Sequence, residues 1–450
     1  MGRKSKGHAI MISIPYQGHI NPFINLALKL ASKGFTSGPD IRYTTITDGL
    51  PLEFDRELRF DEYWEIILRD FSNHVDEFVG KMIQCDPSST YFLVADTLYP
   101  WPSIIADKYS IVSVSFWTQP AMVFTTGYHW DLLTERGHFP SQDKFEDIDY
   151  IPGIKSINTK DLSSYFMVTD FENIFYKVES IAFRRVKKAD FILHNTVEEL
   201  EPDVLPALNQ YQPNYAIGPI NFSVKSVMSK SLWSESDCTR WLESKSPGSV
   251  LYVSFGSFVH TSKETIEEIA YGLLLSGVDF IWAIREGILD TLDANALPFG
   301  FENEAKDKGL VVPWCDQIRV LLNPAIGGFL THCGWNSTVE SIWCGVPMIC
   351  YPIAFDQLNN RKLVVDDWKI GISLCEGILV DRNSIAERIK SFMNGAKGLK
   401  VEAEKVKRVM QKAVEVDGSS ERNFDRFVSD LEAKLQEKTG NGGKKDLIIG

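Results

Sequence analysis

The run Trp314 to Gln357, WCDQIRVLLNPAIGGFLTHCGWNSTVESIWCGVPMICYPIAFDQ, puts an indole, an imidazole, a glycine turn at a helix start and a terminal Asp-Gln pair into one segment. These types suit one composite ligand: an aromatic face for a planar base, amides and carboxylates for vicinal hydroxyls, and donors for phosphate oxygens. AIGGFLTH reads as a short buried strand closed by Cys333-Gly334, and STVESIWCG as a helix ended by Gly345 and Pro347. The turn between them, His332 to Ser337, would aim backbone N–H groups and the positive helix end at an anion, with Gly334 permitting close backbone approach. His332 and Ser337 add side-chain donors, so a diphosphate is the natural ligand. A purely structural account also exists, because Ser337-Thr338-Val339-Glu340 fits a capping box. That account leaves Trp314, Trp335 and the Asp356-Gln357 pair unexplained.

A second set lies near the N-terminus, in HAIMISIPYQGHINP. His8 to Pro15 reads as an apolar strand, Tyr16 to Asn21 as a polar loop, and the following residues as a helix capped by Asn21 with Pro22 in its first turn. Ile24, Ala27, Leu28 and Ala31 give that helix an apolar stripe. His19 therefore falls at the carboxyl end of a first strand, where ligand sites gather in open α/β sheets. Taken alone, a loop histidine is more often a surface residue than a base. Asp96 follows the apolar run Tyr91 to Ala95 and ends another strand, where it could equally cap the next helix.

The whole segment Trp314 to Gln357 resembles, without a gap, the sugar-donor signature of plant family 1 UDP-dependent glycosyltransferases. That resemblance implies that Trp314 stacks on uracil, that the Cys315 backbone pairs with the base, and that Gln317 and Glu340 reach the ribose hydroxyls. It assigns the diphosphate to His332, Asn336 and Ser337 around Gly334, and the hexose to Trp335, Asp356 and Gln357. Cys315-Asp316 stands where Ala-Pro is commoner, with little consequence expected for a backbone contact. Gln357 favours UDP-glucose over UDP-galactose. SVLYVSFGS resembles the first strand of the family's C-terminal domain, with Ser257 at the donor phosphate, and SFWTQPA places Thr118 where the family contacts the hexose. QGHINP makes His19 the general base, and VADTLYPW makes Asp96 its partner, fixing the tautomer and stabilising the imidazolium. The implied reaction is inverting. His19 takes a proton from an acceptor hydroxyl, the oxygen attacks the anomeric carbon opposite UDP, and the helix N-terminus, His332 and Ser337 stabilise leaving UDP. No metal-ligand spacing is present, and no cofactor is implied beyond UDP-glucose as co-substrate.

The elements that must position these groups follow from length and pattern. A chain of 450 residues with 44% hydrophobic content can fill two cores. Strands alternating with helices indicate an α/β class with parallel sheets. FIWAIRE and GLVVPW read as further strands. The resemblance implies the GT-B arrangement, two Rossmann-like domains facing across a cleft. Residues 1–222 are expected to form an acceptor-binding domain, 223–234 a Ser-rich linker, and 235–418 the UDP-sugar domain. Residues 419–438 would form a helix returning to the first domain, and 439–450 a disordered tail.

A formal net charge of −13, with dispersed Lys and Arg, argues against nucleic acid. Seven scattered cysteines suit a reducing compartment. MGRKSKG is basic but runs into a strand rather than a cleavable signal, and no apolar run approaches the roughly 20 residues of a membrane span. A cytosolic monomer without a membrane anchor is expected, its partners being a UDP-sugar and a small hydroxylated acceptor.

One region departs from the family. KGFTSGPDIRYTTITDGLP lacks roughly two dozen residues, the size of a strand with its helix, near 36–41. The expectation drawn from this is that IRYTTI shifts beside MISIP to replace the lost strand. Three readings follow. The chain is an active glucosyltransferase acting on a flavonoid, phenolic, terpenoid or hormone; a UDP-sugar-binding protein weakened in catalysis by the shortened domain; or an epimerase of similar architecture that needs no acceptor. Tyr16, Phe116 and the stretch Tyr128 to Tyr165 are candidates for lining an acceptor pocket, and the aromatics Trp130, Phe139, Tyr165 and Phe166 suit a planar or terpenoid-like acceptor, or ordinary core.

Overall fold

The computed structural model describes residues 6–35, 41–56, 58–140, 145–167, 170–223, 234–291, 296–375 and 381–442. The chain divides into two compact units. One comprises Met1–Thr159, Tyr165–Val227 and Ala413–Gly450; the other comprises Lys160–Ser164 and Met228–Lys412. The linker expected at 223–234 falls almost wholly outside the described residues.

The first unit contains β1 (His8–Ile12), β2 (Tyr91–Asp96) and β3 (Val112–Trp117), a short antiparallel pair β4 (Asp147–Ile148) and β5 (Ile157–Asn158), then β6 (Phe191–His194) and β7 (Asn214–Ala216). Five of these form a parallel sheet in the order β1-β2-β3-β6-β7. Every residue of β2 and β3 is buried, as expected for parallel strands covered on both faces. Phe92, Val94, Val112, Val114 and Phe116 share one core with Leu26 and Leu30 of the helix Gln17–Ser32 and with Phe424, Phe427 and Leu431 of the helix Ser419–Gly442. Each such side chain contributes roughly 2 kcal/mol through burial. Lys29 Nζ also meets Glu421 Oε1 at 2.5 Å, and the Tyr215 hydroxyl donates to Asp430 at 2.6 Å, so the late helix is fixed to this unit by polar contacts too. The backbone remains helical to Gly442, so 439–442 do not belong to a disordered tail.

IRYTTI does not become a strand. Residues 41–48 carry no regular structure, Tyr43 is 97% exposed, and β1 pairs with β2 alone among the described residues. The cause lies in side-chain parity. Ile41 and Ile46 point to opposite sides of an extended chain, so next to β1 each face would bury one isoleucine among Arg42, Tyr43 and two threonines. β1 is left as a sheet edge, with Ile10 and Ile12 buried and Ala9 and Met11 only half-buried.

The first helix also starts earlier than expected. Tyr16 is extended (φ −108°, ψ 144°), and its carbonyl accepts from both His19 and Ile20 N–H, so the helix begins at Gln17 and encloses Asn21 and Pro22. His19 consequently stands in the first helical turn rather than in a loop.

The second unit is one parallel sheet of β8 (Val250–Ser254), β9 (Asp279–Ala283), β10 (Gly309–Val312), β11 (Ile326–Thr331), β12 (Met348–Cys350) and β13 (Gly371–Ser373). Their spatial order is β10-β9-β8-β11-β12-β13. Strand order reverses between β8 and β11, and a doubly wound sheet opens its ligand crevice at the carboxyl ends of such a pair. In both units the fold is α/β with a parallel sheet.

Candidate active site and donor cradle

In the first unit, the parallel register pairs Ile12 with Ala95, which sets the carboxyl ends of β1 and β2 side by side. The turn after β1 leads to His19, and β2 ends on Asp96. His19 Nδ1 lies 2.6 Å from Asp96 Oδ2, and Asp96 is 1% exposed. The second carboxylate oxygen accepts from Leu98 N at 3.1 Å, which fixes the plane of the group. Asp96 is not a helix cap: the next helix, Pro102–Lys108, has Trp101 at its N-cap. Thr118, expected at the hexose, lies just after β3 with its Oγ1 3.2 Å from His19 Nδ1. With the Nδ1 side engaged by a carboxylate and a hydroxyl, a neutral imidazole protonated at Nδ1 keeps its lone pair on Nε2, as a general base requires.

The aromatic candidates pack on one another. Trp130 lies 5.0 Å from Phe139 and 4.5 Å from Phe166, with Tyr165 4.8 Å from Phe166. Phe139, Tyr165 and Phe166 are buried, and Phe116 belongs to the main core, so core packing accounts for them. Tyr16, the helix N-cap, stays half-buried.

In the second unit the turn after β11 carries Cys333 at φ 65° and Gly334 as N-cap of the helix Trp335–Cys344. Trp335, Asn336 and Ser337 thus form the first turn, whose backbone N–H groups have no partner within the helix itself. Ser337 and Glu340 do not make a capping box. Instead, Gln317 Nε2 donates to Ser337 Oγ at 3.0 Å and to Glu340 Oε2 at 2.6 Å, while the Tyr252 hydroxyl donates to Gln317 Oε1 at 3.2 Å. Three residues assigned to ribose and phosphate are therefore one hydrogen-bonded group. Burial pushes the Glu340 carboxyl up to about 7, against the opposing effect of the Gln317 hydrogen bond.

His332 sits between two glycines. A Cβ on Gly256 would lie 2.6 Å from its ring, and one on Gly334 would lie 2.4 Å from Nε2. The glycines are needed for this histidine as much as for any ligand, and Gly256 is also at φ 75°. Burial drives the His332 pKa down to about 4, so the ring is neutral at physiological pH. Ser257 follows Gly256 in the loop after β8, and buried Arg285 holds this loop by donating to the carbonyls of Phe258 and Val259, both at 2.9 Å.

Trp314 lies just beyond β10, half-buried, with its carbonyl accepting from Ser236 N at 2.8 Å. Cys315 is buried, and Asp316, where proline is commoner, caps the helix Gln317–Leu321 by accepting from Arg319 N at 3.0 Å. Trp335 is buried, its ring 6.2 Å from that of Trp368. Gln357 Oε1 accepts from Ile353 N and Ala354 N at 2.7 and 2.9 Å, which pre-orients its amide. Asp356 is held by Asn360, whose Nδ2 donates to Asp356 Oδ2 at 2.7 Å and to the Cys333 carbonyl at 2.8 Å. The segment Lys160–Ser164 braces the same loop: Ser164 Oγ accepts from Phe355 N at 2.8 Å, Ser163 bonds Asn359 at 2.6 Å, and Asp161 pairs with Arg361.

Tyr252, Arg285 and Asn360 escaped the sequence reading, and residues 160–164, read there as part of a stretch lining the acceptor pocket, instead pack with the second unit against the 355–361 region. Only Asn360 left a trace, one helical turn after Asp356. Among the described residues, no group of three or more His, Cys, Asp or Glu could hold a metal ion, and no helix is long and apolar enough to cross a membrane.

Residues 160–398 match the family model described as UDP-glucoronosyl and UDP-glucosyl transferase. The chain is 49% identical over 477 aligned residues to UDP-glycosyltransferase 86A1 of Arabidopsis thaliana, covering 98% of this chain and 97% of that one. Those 477 positions exceed the 450 residues of this chain, so the relative carries residues that this chain lacks. Among solved structures, a UDP-glucose: anthocyanidin 3-O-glucosyltransferase in complex with UDP superposes with a TM-score of 0.85 at 25% identity, over 96% of this chain and 100% of that one. Phytolacca americana UGT2, complexed with UDP-2fluoro-glucose and pterostilbene, gives 0.78 at 26% identity, over 95% and 100%.

Proposed function

This chain belongs to the family of UDP-glucoronosyl and UDP-glucosyl transferases, and from that premise we propose that it moves glucose from UDP-glucose to a hydroxyl of a small lipophilic acceptor, giving a β-glucoside. It is a glycosyltransferase enzyme of the plant type, and its family acts on small plant molecules. The observation that carries the finer reading is the contact of His19 Nδ1 with Asp96 at 2.6 Å, formed although the sheet beside it is short. That contact favours an active enzyme over a protein that only binds donor.

In the proposed step the acceptor hydroxyl gives its proton to His19 Nε2, and Asp96 stabilises the imidazolium. The oxygen attacks the anomeric carbon from the face opposite UDP, the bond to the β-phosphate oxygen breaks, and configuration inverts. Charge developing on UDP is met by the N–H groups of Trp335 to Ser337, the neutral His332 and the Ser337 hydroxyl, so the step calls on no cofactor or divalent cation. Trp314 would stack on uracil, and the Gln317–Glu340 pair would take the ribose hydroxyls. Asp356 and Gln357 would read the hexose, with Thr118 steadying the base. Ser257 would complete the phosphate contacts. Neighbours bound to pterostilbene and named for anthocyanidin support a planar phenolic acceptor. Seven free cysteines support a reducing, cytosolic setting.

Incubation with UDP-glucose and a mixed panel of phenolics, terpenoids and hormones, read by product mass, tests the proposal. A hexose added by the wild type and not by His19→Ala is expected. UDP binding with no product across the panel would select the donor-binding reading instead.

A further inference from the structure

Phe355 stands immediately before Asp356 and Gln357, the pair assigned to the hexose, and its backbone lies in the left-handed region at φ 61°. A bulky residue is strained there, because its Cβ crowds the following carbonyl oxygen, and phenylalanine has no short polar side chain to bond locally in return. Such a conformation persists only where surrounding contacts impose it. Both backbone groups of Phe355 are engaged by one residue. The Phe355 N–H donates to Ser164 Oγ at 2.8 Å, and the Phe355 carbonyl accepts from the Ser164 N–H at 3.0 Å.

Ser164 lies 191 residues away in the chain, and its position does not depend on Phe355 alone. The segment that carries it is fastened to the helix Gln357–Lys362 at two further points: Ser163 Oγ donates to Asn359 Oδ1 at 2.6 Å, and Asp161 pairs with Arg361. All of these residues belong to the second unit. The chain therefore enters the turn Phe355-Asp356-Gln357 with its direction set from outside the donor segment.

We propose that Ser164 is a positioning residue for sugar recognition, holding Phe355 in the left-handed conformation and so aiming Asp356 and Gln357 at the hexose of the donor. The inference rests on the assignment of those two side chains to the sugar. Without the Ser164 hydroxyl the Phe355 N–H loses its acceptor, the strain is no longer offset, and the backbone relaxes toward negative φ. The turn then presents Asp356 and Gln357 in a different direction. Gln317, Glu340 and Ser337 keep their own hydrogen bonds, so the nucleotide is held as before.

The test titrates the full chain with UDP and with UDP-glucose by calorimetry, which needs no acceptor. Ser164→Ala is expected to weaken UDP-glucose by about fivefold while the Kd for UDP stays within about twofold of the wild type. Ser164→Thr keeps the hydroxyl and should restore UDP-glucose binding. Asparagine tolerates left-handed backbone, so in a Phe355→Asn background Ser164→Ala should cost less than it does beside phenylalanine. Comparison within that background cancels the lost ring contact with Phe258. Equal weakening of both ligands, no rescue by Ser164→Thr, or an undiminished loss beside Phe355→Asn would overturn the proposal. Should Ser164→Ala alone fail to fold, the double variant decides: folding with the wild-type preference supports the clamp, and failure to fold rejects it. Asp356→Ala and Gln357→Ala judge the underlying assignment separately. If neither weakens UDP-glucose relative to UDP, the hexose assignment has failed; if both do and Ser164→Ala does not, only the proposal has.

Discussion

Asp96 meets His19 at 2.6 Å across 77 residues of chain, and it does so with one carboxylate oxygen while the other accepts from the Leu98 N–H. A carboxylate held at both oxygens does not swing with the imidazole; it sets the ring's position and tautomer.

Removing the base should separate turnover from binding. His19→Ala is expected to lower glucoside formation by about 10²–10⁴-fold, with UDP affinity unchanged because the cradle lies in the other unit. Asp96→Asn should act on kcat in the same direction. Product mass and a UDP titration check both; a fully active His19→Ala would sink the base assignment.

Glu340 predicts a pH dependence. Its carboxyl is raised to about 7 in the folded protein from an unfolded value near 4.5, so the folded state binds the extra proton between those values. The resulting stabilisation is present below about pH 4.5 and is lost as pH rises through about 7. On the proposed reading ribose hydroxyls would donate to the ionised form, so UDP affinity should rise across that range. Relative to wild type, Glu340→Gln should flatten both trends, as read by thermal unfolding and UDP titration at pH 6 and 8.

Gly256→Ala should injure the cradle by geometry alone. The new Cβ would strike the His332 ring at 2.6 Å, in a backbone at φ 75° that favours glycine. A loss of about 1–3 kcal/mol in stability, together with weaker UDP binding, is expected from a melting curve and a UDP titration.

Asn360 is buried and joins Asp356 to the Cys333 carbonyl. Asn360→Ala should release both acceptors, costing about 1–3 kcal/mol. It should also raise KM for UDP-glucose more than the Kd for UDP, since Asp356 is assigned to the hexose and not the nucleotide. Equal effects on the two constants would remove Asp356 from the sugar.

Most of this fold was legible locally. Apolar runs such as FLVAD and VLYVS are strands in the structure, and Gly345 ends its helix at φ 74°, because burial on two faces and left-handed caps leave their mark within a few residues. Local pattern misled where it had a rival. Ser337-x-x-Glu340 has capping-box spacing, but Gly334 already caps the helix, and both side chains turn to Gln317. IRYTTI has strand propensity but no face apolar enough to lie beside β1.

The sequence by itself determined the family, the α/β class and the residue types at the donor segment, since all of these reside in contiguous pattern. Tertiary structure alone decided which distant groups meet. Asp96 reaches His19 because β1 and β2 are neighbours with aligned carboxyl ends, and Gly256 reaches His332 because strand order reverses between β8 and β11. Strand order and register are properties of the whole sheet, and no short stretch of chain contains them.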